Sequence, residues 1–136
     1  MGMKTVRIKR VYDEPSPQDG TRVLVDRVWP RGMKKEKAHI DLWLKDAAPS
    51  TALRKWFGHQ ADKWDDFRRR YAAELDKHQE AVEQLRRLAE KHALTLVFSA
   101  RDEEHNNAMV LREYLSEKSK TLENDSKTAA GNYNEG

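Results

Sequence analysis

The stretch "TRVLVDRV" (residues 21–28) sets three apolar residues, Val23, Leu24 and Val25, between polar neighbours. A short, largely β-branched run of this kind reads as a central strand buried on both faces. "LTLVFSA" (94–100) repeats the pattern, and "TVRIKRVY" (5–12) alternates Val6 and Ile8 with Arg7 and Lys9, as a half-exposed strand does. "TALRKWFG" makes about two helical turns after a cap at Ser50 or Thr51 and stops at Gly58. Trp64, Phe67, Tyr71 and Leu75 share one helix face, and Val82, Leu85, Leu88 and Ala89 share another. A change of phase near Lys77 separates the two. Strands separated by helices favour a single α/β domain over residues 1–116, with a mainly parallel central sheet flanked by helices. The last twenty residues, 117–136, are polar and aperiodic and read as a disordered tail.

Composition narrows the function classes. Charged residues make up 36% of the chain and apolar residues 38%, which implies a modest core and long solvated faces. No apolar run is long enough for a membrane span, and "MGMKTVRIKR" lacks the apolar region of a signal peptide. With Cys 0 there is no disulfide, thiol nucleophile or cysteine zinc site. These features point to a cytoplasmic protein, a monomer or homodimer, without membrane contact. The net charge of +3 permits a phosphate-bearing partner without requiring one.

In parallel sheets, ligands bind beyond the carboxyl ends of the strands. The loops 26–37 and 99–106 leave the two clearest strands at that edge, so their polar residues are the candidate site. Arg27 and Arg31 offer fork-shaped donors suited to a carboxylate or phosphate, and Gly32 allows close backbone approach. The competing role for the arginines is to pair with a nearby acid or brace the loop. Trp29, beside Pro30, is the tryptophan expected to line a pocket, while Trp64 is expected in the core. Asp26 and Asp102 could hold a metal or divide acid and base roles, or instead serve as a partner for amides and a helix N-cap. His105 is the candidate base with Asp102 beside it, Asn106 positions a ligand, and His59 follows the Gly58 turn. Glu103 and Glu104, placed in the first turn of that helix, disfavour a phosphate there. No His spacing suits zinc, so neither a metal nor another cofactor is expected.

The basic runs "MKKEK" (33–37) and "RRR" (68–70) raise a second possibility, contact with nucleic acid as an accessory protein. A third is a protein-interaction module without catalysis. The leading expectation is binding of a small anionic or phosphate-bearing ligand at the strand ends, with hydrolase or transferase chemistry left open.

"DGTRVLVDRVWPRGMKKEKAHIDLWLKDAAPSTALRKWFGH" followed by "LTLVFSARDEEHNNAMVLREYL" resembles the YeaO-like branch of the domain of unknown function 488 family. The resemblance covers roughly residues 4–116 and rests on several segments in one order: Asp-Arg-Val-Trp-Pro-Arg-Gly, Leu-Trp-Leu-Lys-Asp, Arg-Lys-Trp-Phe-Gly-His and Asp-Glu-Glu-His-Asn. It implies a small cytoplasmic bacterial or archaeal α/β protein and no particular reaction. More distant members often carry a Cys-His-Arg-like element after the last strand. Here that place holds His105, Asn106 and Asn107, so thiol chemistry does not carry over.

Overall fold

The computed structural model describes residues 6–116. The tail expectation for 117–136 lies outside the described residues. Four strands form one sheet: β1 (Val6–Arg10), β2 (Thr21–Leu24), β3 (Leu42–Trp43) and β4 (Leu94–Phe98). Their order is β1-β4-β2-β3 and every pairing is parallel. The helices are α1 (Lys35–Ala38), α2 (Thr51–Phe57), α3 (Trp64–Asp76), α4 (Gln79–Lys91) and α5 (107–116 within the described residues).

Side-chain alternation along the central strands divides the interior. Val23, Val25, Leu94, Leu96 and Phe98 enter the large core with Phe57, Phe67, Tyr71, Leu85 and Leu111 from the helices. Leu24 and Val97 face the other way, into a smaller cluster with Val11 and Ala38, closed by Trp29, Met33, Ile40 and Trp43. The expected helical cover is therefore lopsided. Helices α2 to α5 pack on one face, and the loop around α1 covers much of the other. β2 is shorter than the 21–28 run: Val25 still donates to the Val97 carbonyl at 3.0 Å, but the chain then departs and Val28 is exposed.

The α1-side face also carries a buried ionic corner. Arg22 lies in register with Thr95, and Lys9 and Arg22 both reach Asp19 from this face. Asp19 sits in a short 3-10 turn, Pro17–Asp19, closed by a capping box with Ser16. Its carboxylate accepts from Arg22 Nη1 at 2.7 Å, from Lys9 Nζ at 3.0 Å and from the Ser16 amide at 3.0 Å. Arg22 is only 4% exposed, and its remaining donors reach the carbonyls of Ala38 (2.8 Å) and His39 (3.0 Å). One guanidinium thus ties the turn before β2 to the end of α1. Gly20, immediately before β2, has φ +65° and lies against the Ala93 backbone.

Candidate functional site

The carboxyl ends of β2 and β4 open into a cleft of roughly 390 Å³. Its walls come from the segment after β2 (Asp26 to Arg31), the segment after β4 (Ser99, Ala100, His105), the start of α5, and helix α2. Arg27, Trp29, Arg31, His59, His105 and Asn106 all line this one cleft. Gly32 and Asp102 do not appear in its lining. Gly32 has φ +76° and nothing within 4 Å of where a Cβ would stand, so it serves the turn and not a close approach.

The cleft's loops are tied down from behind. Arg10 on β1 donates to the carbonyls of Ala100 (2.8 Å) and Ser99 (3.3 Å), fixing the exit of β4. Tyr12 donates its hydroxyl to the Arg31 carbonyl at 2.8 Å. Trp43 donates its indole N–H to the Asp26 carbonyl at 2.8 Å. Trp29 donates to the Met33 carbonyl at 2.6 Å and meets Trp43 edge-on at 5.4 Å, so most of its role is in the smaller cluster.

Arg27 takes the bracing role. Its Nε and Nη2 donate to the carbonyls of Pro49 (3.1 Å) and Ala48 (3.2 Å). The buried Tyr71 hydroxyl holds the preceding Ala47 carbonyl, and Glu74 accepts from the Ser50 amide and hydroxyl. This chain of bonds places α2, whose Ser50 hydroxyl caps the Leu53 amide. Leu53 and Phe57 then face the core, while Thr51, Arg54 and Lys55 face the cleft at spacings of three and four.

Asp26, Ser99 and Asn107 form a polar network where the two strands end. Asp26 Oδ2 accepts from the Ser99 amide (2.9 Å) and hydroxyl (2.8 Å). Asn107 Nδ2 donates to Asp26 Oδ1 (3.1 Å) and to the Val25 carbonyl (2.8 Å). Burial pushes the Asp26 carboxyl above its ordinary value of 3.8, against the opposing bonds from Ser99 and Asn107. The folded chain therefore holds this proton more tightly than the unfolded chain. Stability contributed here falls as pH rises from 3.8 toward the raised value. Asp26→Asn is expected to remove that falling limb. Urea midpoints of the two proteins between about pH 4 and about pH 7 check it, and a pH-independent difference would contradict the burial account.

The segment after β4 corrects one expectation. Asp102 is not the N-cap of α5. Its Oδ1 accepts from the amides of Glu104 and His105, both at 2.9 Å, closing a separate turn. Those two amides hold its carboxyl below the ordinary value. The cap is Asn106, which is 2% exposed and whose Oδ1 accepts from the Met109 amide at 2.9 Å. Glu103 and Glu104 consequently lie before the helix, exposed and outside the cleft lining, so their charges do not sit in its first turn. Asn106 also donates to the Asp102 carbonyl at 2.9 Å, which makes it a structural element of the wall. His105 Nδ1 lies 3.1 Å from Asp102 Oδ2, and its ring meets Trp64 edge-on at 5.0 Å.

Sequence reasoning did not place Arg54, Lys55, Ser99 or Asn107 in the site, and it read Thr51 only as a possible helix cap. The α2 residues had a signal, since their helical spacing sets them opposite Leu53 and Phe57. Asn107 had none, because its role depends on α5 starting beside β2. The basic run 68–70 is already committed. Arg68 pairs with Glu113 (3.0 Å), Arg69 with Asp66, and Arg70 stacks on Trp56 at 4.3 Å.

A family model described as "Inactive DUF488-N3 subclade" matches residues 5–133. The chain belongs to this subclade. It is 44% identical over 110 residues to the uncharacterized protein YeaO of Escherichia coli K12, covering 81% of this chain and 96% of that protein. It is 41% identical over 111 residues to the uncharacterized protein Rv3073c of Mycobacterium tuberculosis, covering 82% and 93%. No solved structure matches. The resemblance to the domain of unknown function 488 family is thus borne out, and no member named here brings a reaction with it. Among the described residues, no helix is long and apolar enough to cross a membrane.

Proposed function

We propose that this protein binds a small anionic ligand in the cleft at the carboxyl ends of β2 and β4, without turning it over. One observation carries the reading. Arg31, Arg54 and Lys55 line the cleft, and among the described residues none of their side chains is hydrogen-bonded or in salt-bridge contact with an acid. Arg54 acts on the Asp26 carboxylate at longer range, but three cations facing one carboxylate leave an excess of positive charge, and an anion relieves the repulsion among them. Arg27 adds a fourth positive charge behind them, while Asp26 is the one carboxylate in the lining. The subclade's description as inactive supports binding over catalysis. His105 is then a ligand contact held by Asp102, and the two do not form a catalytic pair.

Calorimetric titration with inorganic phosphate and with small dicarboxylates tests this reading. Each of the three cations should contribute about tenfold in affinity through a charge-assisted contact. The combined Arg31→Ala, Arg54→Ala and Lys55→Ala variant is expected to lose binding while keeping its fold, because all three side chains are exposed. Equal affinity in the variant, or no heat from any anion with the wild type, would remove the proposal.

A further inference from the structure

The floor of the cleft has the opposite chemistry from its rim. Asn107 uses both amide hydrogens, on the Val25 carbonyl and on Asp26 Oδ1. Both partners are acceptors, which fixes the amide's orientation and leaves Asn107 Oδ1 as the free end. Among the described residues nothing donates to it. Asp26 accepts three bonds, two on Oδ2 from Ser99 and one on Oδ1 from Asn107. A carboxylate has about four acceptor positions, so Oδ1 keeps one. Both residues line the cleft, and no cation is in salt-bridge contact with Asp26.

A bare anion fits this floor poorly. A carboxylate or a phosphate-ester dianion would meet the rim's cations but also the Asp26 carboxylate, and it has no hydrogen to give to either free oxygen. A ligand with a nitrogen-borne donor satisfies both ends. We infer that the cleft selects ligands that join an anionic group to an ammonium or amide N–H donor. The donor sits on Asp26 Oδ1 and Asn107 Oδ1, and the anion on Arg31, Arg54 and Lys55. This deepens the anion-binding reading and rests on it. Asp26 then has a specificity role: simple anions bind at the rim, but more weakly than ligands that also bring a donor to the floor.

O-phosphoethanolamine and propyl phosphate are matched probes, differing chiefly in an ammonium against a methyl group. Isothermal titration of the wild-type protein should show O-phosphoethanolamine binding about tenfold more tightly or better, the worth of one charge-assisted hydrogen bond. In Asp26→Asn that preference should fall to within about twofold, with propyl phosphate bound as well as before or better. Equal affinity of the two probes for the wild-type protein overturns the inference and leaves the anion reading intact. A preference that survives unchanged in a folded Asp26→Asn also overturns it. If neither probe binds, the anion reading fails and the inference with it. The wild-type comparison needs no variant, so the test does not depend on Asp26→Asn folding.

Discussion

Replacing Gly20 with alanine is expected to cost the fold about 4 kcal/mol, from strain of roughly 1–3 kcal/mol at this backbone conformation and a similar loss of bonding around Ala93. Gly20 has φ 65° and ψ −134°, a region that side chains with a Cβ strongly disfavour. An added Cβ would stand 2.2 Å from the Ala93 carbonyl oxygen and 2.7 Å from its carbon. That carbonyl accepts from the Thr21 amide at 2.9 Å, the bond that starts β2 beside β4. Neither group is a flexible side-chain end, so the backbone itself must move. Set against a total of about 5–15 kcal/mol, the loss leaves little margin. Gly58→Ala is the control. Gly58 also has positive φ (53°), but a Cβ there meets nothing closer than 3.5 Å. Its cost should be the conformational one alone, about 1–2 kcal/mol. Urea denaturation followed by circular dichroism separates the two, and equal midpoints would refute the close-approach argument.

Asp19→Ala is the second large effect, at about 3–5 kcal/mol, the range for breaking a buried pair from one side. Arg22 would stay buried with one of its donors unmatched, and the Lys9 ammonium and Ser16 amide would lose their acceptor too. Burial pushes the Asp19 carboxyl up, but Lys9, the Ser16 amide and Arg22 together hold it below its ordinary value of 3.8. Because the folded value is depressed, this stability is present above 3.8 and is lost as pH falls through the folded value. The wild-type protein should therefore show an acid limb below that pH that is weaker in Asp19→Ala. The opposite sign is expected for Asp26, whose carboxyl is raised. Stability curves against pH for the two variants should diverge in opposite directions. Parallel curves would show that neither carboxylate titrates differently on folding.

The elements whose residues carry local signals were legible. The apolar runs at 23–25 and 94–98 are central strands because only a doubly covered strand buries side chains on both faces. Ser50 and Gly58 bound α2 as cap chemistry requires. Asp102 misled because an acid three residues before an apolar stretch has the same local signature whether it closes a free turn or caps a helix. The competition between Asp102 and Asn106 was decided by where β4 releases the chain against α5.

The sequence by itself determined the class of fold, the family, and the sheet edge at which the loops 26–37 and 99–106 leave the two central strands. Those follow from periodicity, the alternation of strands with helices and local motifs, which depend on near neighbours along the chain. Tertiary structure alone decided which polar groups are free. Arg27 and Arg31 stand four residues apart in the same loop, yet the Arg27 guanidinium is spent on the carbonyls of Ala48 and Pro49 while Arg31 lines the cleft with no side-chain hydrogen bond or salt bridge among the described residues. Asn107 became part of the floor only because the start of α5 meets the end of β2. A side chain's availability depends on every group that reaches it through space, and those partners lie up to ninety residues away along the chain.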